Sequence, residues 1–171
     1  MNVYVDTVES PAGELAFAVD GEGSLVSLHF VEGDGELEME EALEAEGFRL
    51  QRDEGRTARV REELREYYAG ERREFGLPLA LVGSEWQKAV WLELTRIPYG
   101  ETRSYGEIAD RLDRPGAARA VGRANATNRL PLVVPCHRVI AADGSLGGFN
   151  GGLHIKERLL EHERRVAGAG S

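Results

Sequence analysis

A chain of 171 residues with 42% hydrophobic content is long enough for one ordinary domain or two small ones, and apolar enough to build a packed core. No apolar run approaches the roughly 20 residues that span a bilayer, and the start, MNVYVDTVES, lacks the basic-then-apolar layout of a signal peptide, so a cytosolic chain without membrane association is expected. The formal net charge of −9 argues against a nucleic-acid partner until it is divided: residues 1–82 hold 8 Lys+Arg against 20 Asp+Glu, whereas residues 83–171 hold 13 against 10. Acidity belongs to the front half, which points to separate roles for the halves or to two solvated surfaces of different composition.

Segments NVYVDTV, ELAFAVD and LVSLHFVE alternate in polarity and are separated by SPAG and GEGS, the turn chemistry of an antiparallel meander. The acidic segment GDGELEMEEALEAEG follows, then a short strand in FRLQRD. In RTARVREELREYYAG, Val60, Leu64 and Tyr67/Tyr68 recur at helical spacing up to Gly70. A sheet covered by a helix is the expected outcome. EFGLPLALVG carries a proline inside an apolar run and reads as an edge strand or connector. Domains 1–80 and 81–171 are expected from this change of character.

Ser84 is a candidate N-cap for EWQKAVWLELTRI, whose Trp86, Val90, Trp91 and Leu94 form one apolar face. Ser104 is a second cap, for a short helix carrying Tyr105, Ile108, Ala109 and Leu112 and closed by Arg114-Pro115-Gly116. A third helix, AARAVGRANATN, can stop at Asn128, a residue able to adopt the left-handed conformation. Two short helices around a Pro-Gly connection form a helix-turn-helix pattern. Arg119 and Arg123 share a face flanked by Ala117, Ala118, Ala120 and Ala124, so the backbone can come close to a nucleic-acid groove while the arginines reach out. A solvated helix with two surface arginines would read the same way.

PLVVPCHRVIAADG predicts a short buried strand ending at Pro135, a turn presenting Cys136 and His137, and a second apolar piece closed by Asp143-Gly144. A single cysteine can form neither an internal disulfide nor a multi-thiolate zinc site, and no metal is expected. With an ordinary pKa near 8.5, a nucleophilic thiol needs a base or a positive neighbour, and His137 and Arg138 follow it directly. A buried core cysteine fits the spacing as well. Five glycines, Gly144, Gly147, Gly148, Gly151 and Gly152, surround Phe149-Asn150, either to let backbone lie against a flat ligand or as a flexible loop. A helix with Leu153, Lys156, Leu159, Leu160 and Glu163 follows; the loop lacks GxxxxGK[ST] and is no phosphate-binding P-loop.

PCHRVI, preceded by SYGEIADRL and AARAVGRANATN and followed by GGFNGGLHIKERLLEHE, resembles the O6-alkylguanine-DNA alkyltransferase family over residues 79–163. The first 78 residues match in general layout only. The resemblance implies an α/β N-terminal ribonuclease H-like domain of mainly structural role and a mainly α C-terminal winged helix-turn-helix-like DNA-binding domain. It implies irreversible, single-turnover transfer of the alkyl group of O6-alkylguanine to Cys136, with O4-alkylthymine a further candidate substrate, by a monomer that binds double-stranded DNA in the minor groove and needs no cofactor.

Carried over by motif position, His137 and Glu163 form a relay in which His137, through a water, removes the Cys136 proton, and Tyr105 stabilises or protonates the departing guanine. Val139, Phe149, Asn150 and Gly151 contact the base, Asn128 braces the junction with the recognition helix, and Arg119 fills the stack left by the extruded nucleotide. Arg123, Ala117, Ala118 and Ser104 fall on the DNA side. Phe149 departs from the tyrosine or tryptophan of many relatives, and the overall acidity is also unusual. Two alternatives are a non-enzymatic alkyl-lesion-binding protein, a group that lacks the acceptor cysteine, and a cysteine hydrolase using Cys136 and His137, which leaves the helix-turn-helix unexplained.

Overall fold

Turn chemistry in the first residues folds the chain back on itself twice. The computed structural model describes residues 1–11, 13–31, 35–149 and 152–169, which fall into two compact units, Met1–Leu81 and Val82–Ser171. In the first unit β1 (Asn2–Ser10), β2 (Gly13–Asp20) and β3 (Leu25–Phe30) pair antiparallel in succession. Strand β4 (Arg49–Gln51) adds parallel to β1, giving the order β3-β2-β1-β4.

The acidic segment, for which no element was expected, is a helix, α1 (Gly35–Ala45). Glu36 and Glu38 sit in its first turn, where the positive end of the helix dipole favours them. Met39 and Leu43, one turn apart, close over Val3, Val5, Ala16, Ala18 and Val26. Helix α2 (Glu54–Tyr68), capped by the Asp53 carboxylate, takes the opposite face. Thr57 and Arg61 of α2 donate to Asp6 of β1 at 2.8 and 2.5 Å, and the Arg56 guanidinium lies over the Tyr4 ring. Tyr4 and Asp6 alternate with Val3 and Val5 along the strand, so a helix covers each face of the sheet, not one face alone. Two-sided cover explains why residues 15–19 of β2 are buried without interruption. Leu79, beside Pro78, makes one isolated bridge to Leu25 and the segment is otherwise a connector.

The second unit contains α3 (Glu85–Leu94), α4 (Tyr105–Arg111), α5 (Ala118–Ala126), a 3-10 turn (Cys136–Arg138) and α6 (Leu153–Ala169), with a parallel pair of two-residue strands, β5 (Arg103–Ser104) and β6 (Val139–Ile140). Ser84 and Ser104 each head a reciprocal capping box, with Gln87 and Glu107. Helices α4 and α5 pack as a helix-turn-helix, the turn using positive φ at Asp113 and Gly116. The indole N–H groups of Trp86 and Trp91 donate to the Ala120 and Ala124 carbonyls at 3.1 and 2.9 Å, pinning α3 to α5.

Two expectations fail around the cysteine. The strand ending at Pro135 does not form: residues 131–135 make only the isolated bridge Pro131 to Val134, with Leu132 at φ 77°. Prolines at 131 and 135 have no N–H for a ladder, so the segment turns. Nor does Asn128 adopt the left-handed conformation. Its side chain does the work, accepting from Leu130 N–H and donating to the Val134 carbonyl, both at 2.9 Å. Among the described residues no helix is long and apolar enough to cross a membrane.

Candidate active site

Cys136 opens the 3-10 turn, 5% exposed. Burial pushes its thiol up to about 11, against the Asn128 side chain, the Lys156 charge and the backbone N–H groups of Cys136 and Leu132, which all favour the thiolate. The left-handed Leu132 is an uncommon conformation for a non-glycine residue, and it falls in the segment that faces the sulfur. A thiol in this state is protonated near neutral pH and becomes a nucleophile only if a base takes its proton as it attacks.

The neighbouring histidine is fully buried. His137 Nε2 lies 2.8 Å from Glu163 Oε2, seven residues beyond Lys156 on the inward stripe of α6. Arg138 grips the same carboxylate, Nε to Oε1 at 2.7 Å and Nη2 to Oε2 at 2.9 Å, while its Nη1 donates to the Ile97 carbonyl at 2.8 Å. The Gly100 N–H adds a longer contact to Oε1 at 3.4 Å; with φ 81° and a notional Cβ 2.9 Å from Ala167, this position suits glycine alone. Burial opposes ionisation of Glu163, but the hydrogen bonds and charges of His137 and Arg138 outweigh it and hold the carboxyl well below its usual range. An ionised carboxylate only accepts, so Nε2 carries the hydrogen and Nδ1 the lone pair. Nδ1 is buried and bonds to no described residue. Burial also lowers the His137 pKa, Glu163 raises it, and Arg138 and Lys156 lower it, so a neutral base stands beside a neutral thiol.

Tyr105 begins α4 immediately after the Ser104 cap. Burial raises its hydroxyl pKa, the Gly148 backbone lowers it by hydrogen bonding, and a negative charge on Cys136 would raise it, which places the phenol beneath the glycine-rich loop. A side chain at Gly147, φ 70°, would put its Cβ 2.7 Å from the Tyr105 hydroxyl. Lys156 has no exposed surface and donates to the Val139 carbonyl at 2.5 Å and the Gly148 carbonyl at 3.3 Å, tying β6 to the loop. Burial lowers its pKa to about 8 while Cys136 raises it.

The fold therefore gathers Cys136, His137, Glu163, Tyr105, Asn128 and Val139 into one place. Arg119 and Arg123 are exposed on α5, with Ala117 and Ala118 at its start and Ser104 at the start of α4. Phe149 is half-buried; Asn150 and Gly151 lie outside the described residues. The sequence offered Arg138 only as a positive neighbour for the thiol, whereas its guanidinium is bound to Glu163, and it assigned no role to Lys156 or to Asn125, whose Nδ2 lies 3.5 Å from the Cys136 carbonyl. The signal for Lys156 was its spacing from Glu163, two charges on an otherwise apolar stripe with Ile155, Leu159 and Leu160; Leu153, read with that stripe, is 50% exposed. Among the described residues no group of His, Cys, Asp or Glu side chains is arranged to hold a metal.

Residues 3–81 match the family model described as 6-O-methylguanine DNA methyltransferase, ribonuclease-like domain, and residues 85–165 match that family's DNA binding domain. The methylated-DNA–protein-cysteine methyltransferase of Mycobacterium tuberculosis is 44% identical over 168 residues, 98% of this chain and 96% of its own. The constitutive protein of that name from Bacillus subtilis is 41% identical over 165 residues, 96% of each chain. The crystal structure of Mycobacterium tuberculosis OGT in complex with DNA is 40% identical with a TM-score of 0.82, covering 97% of this chain and 94% of its own. On these matches, and with a lone cysteine set beside a His–Glu pair behind a helix-turn-helix, the chain belongs to the 6-O-methylguanine DNA methyltransferase family, an α/β ribonuclease-like domain followed by a DNA-binding domain.

Proposed function

We propose that the protein repairs DNA directly, moving the alkyl group of O6-alkylguanine onto Cys136, once per molecule. The observation that carries this reading is a buried thiol followed directly by a buried imidazole whose Nε2 meets the Glu163 carboxylate at 2.8 Å, leaving Nδ1 without a bond to any described residue. The sulfur attacks the alkyl carbon; the C–S bond forms as the C–O6 bond breaks and its electron pair passes into the guanine ring. The thiol proton goes through a water to His137 Nδ1, and Glu163 steadies the imidazolium. Tyr105 stabilises or protonates the departing guanine. The product is a thioether, which no step of this chemistry returns to a thiol.

Residues 1–80 serve as a structural domain and residues 81–171 carry both DNA binding and transfer, in a monomer of the cytoplasm. The small Ala117 and Ala118 let α5 enter the minor groove, Ser104 and Arg123 flank it, and Arg119 takes the place of the flipped nucleotide. Val139, Phe149, Asn150 and Gly151 receive the base. The Val139 carbonyl already accepts from Lys156, so a base amine would use its second lone pair. A lesion-binding protein without transfer is the second reading, and the presence of Cys136 weighs against it.

Duplex DNA carrying O6-[methyl-14C]methylguanine tests the reading. Label should appear on the tryptic peptide containing Cys136, at no more than one methyl per protein, and Cys136→Ser should bind the lesion but take no label. Catalytic turnover, or an unlabelled cysteine, would sink it.

A further inference from the structure

Glu163 serves two cations with one charge. If His137 were its only partner, the neutral arrangement of this dry site would be imidazolium against carboxylate, and Nδ1 would already hold a proton. Arg138 changes that balance, because guanidinium, carboxylate and neutral imidazole together carry no net charge, and protonating His137 would leave an uncompensated positive charge. We propose that Arg138 is a positioning residue that holds His137 neutral, with its lone pair on Nδ1, by occupying both oxygens of Glu163.

The guanidinium is built in place. Its third nitrogen is bound to the Ile97 carbonyl, and its carbon lies 5.5 Å from the Tyr99 ring centroid, so it cannot turn away from the carboxylate without losing both. The other charges around His137 act in the same sense or stand apart. Lys156 on α6 also disfavours an imidazolium, and Cys136 beside it is protonated at rest. Glu93, the buried acid of α3, pairs with Arg96 and Arg111, and Arg119 and Arg123 of α5 are exposed. The depressed pKa of His137, with Arg138 among its causes, agrees.

The inference rests on the proposed transfer for its consequence, but its first readout does not. Histidine 15N shifts of the full chain, with His137 identified by His137→Gln, report charge and tautomer directly. In the unaltered protein His137 should be neutral at about pH 7 with hydrogen on Nε2. In Arg138→Met it should take a proton about one pH unit or more higher, and the acid limb of transfer from free O6-benzylguanine should move up by the same amount, the rate recovering as pH is raised. Arg138→Lys, which keeps the charge, should restore both. A folded Arg138→Met whose His137 titration and acid limb coincide with those of the unaltered protein overturns the proposal. So does a charged His137 at about pH 7 in the unaltered chain, which decides the matter even if Arg138→Met does not fold. If His137 behaves as expected and Cys136 is never labelled, the transfer reading fails and the role of Arg138 stands.

Discussion

A buried glutamate of the first unit, Glu63, and one of the second, Glu163, each anchor an ionic cluster, and the two are built on opposite terms. Glu63 of α2, 7% exposed, receives the Gly76 N–H at 2.8 Å and pairs with Arg59 and Arg72, whose side chains are 61% and 29% exposed. Glu163 of α6, 1% exposed, pairs with His137 and Arg138 at 0% and 8%. The first arrangement leaves the cations hydrated while a carboxylate fastens a connecting segment to a helix, at the modest energies of surface pairs. The second strips every partner of water, where desolvation costs several kcal/mol per ion and a well-packed apolar side chain would often be as stable. Such a cluster is explained by proton chemistry better than by stability, and Cys136 and Lys156 are buried beside it.

The contrast is broken most directly by neutralising each acid. Glu163→Gln should destabilise the second unit by about 3–5 kcal/mol, because it leaves the Arg138 charge buried and unpaired. Glu63→Gln should cost the first unit only about 1 kcal/mol. Trp86 and Trp91 both lie in the second unit, so tryptophan fluorescence in a urea titration isolates it. A smaller loss for Glu163→Gln than for Glu63→Gln would refute the comparison.

Next in size is Gly147→Ala. It pushes on the Tyr105 hydroxyl and should slow transfer roughly 10–100-fold, the scale of a small misplacement in a reacting site. Gly144→Ala, at φ 88° with nothing within 4 Å of the added carbon, meets the backbone strain without the contact and should leave transfer near normal. Equal slowing in the two variants would assign the effect to loop strain. Arg119→Ala should lower transfer from duplex DNA about tenfold, within the ~1–3 kcal/mol of a stacked contact, while sparing free O6-benzylguanine. Equal losses on the two substrates would remove the finger role.

Acid and alkali should separate the units more gently. His137 is held below its ordinary pKa, so the unfolded chain takes its proton first and the second unit loses stability as pH falls through about 6.5. The contribution of Glu163, also depressed, is complete above about pH 4.3 and is lost below it. The raised Cys136 costs stability as pH rises above about 8.5, while Lys156, lowered to about 8, adds stability over the same span up to about 10.4, so the two largely offset and thiolate absorbance should develop only near a pH of about 11. In the first unit Asp6 is depressed despite its burial by Thr7, Thr57 and Arg61, and its stabilisation is lost only below about pH 3.9. Tryptophan fluorescence and far-ultraviolet circular dichroism followed over that range should therefore diverge between about pH 6.5 and 4. The smallest effect belongs to Asp6→Asn, about 1 kcal/mol from the first unit with no change in transfer.

Local chemistry was legible in the sequence because it acts within a turn or two of chain. The Ser84 and Ser104 caps, the alternation of β1 and the apolar face of α3 are all read from neighbours that also touch in space. Helix α1 escaped because only Met39 and Leu43 of its acidic run are buried. The failed strand before Cys136 had the apolar run but not the donors. The resemblance carried by PCHR and its flanks brought Cys136, His137 and Glu163 to attention, but adjacency in that motif said nothing of what each side chain touches. That was decided by contacts between residues 17, 25 and 41 apart: Lys156 with Val139, Arg138 with Glu163, and Arg138 with Ile97. By itself the sequence determined the two-part layout, the helix-turn-helix and a single thiol beside a histidine. Only the tertiary structure showed that the histidine is buried, that its Nε2 meets Glu163 while Nδ1 bonds to no described residue, and that Arg138 grips the same carboxylate, because those properties depend on burial and on charges that distant segments bring together.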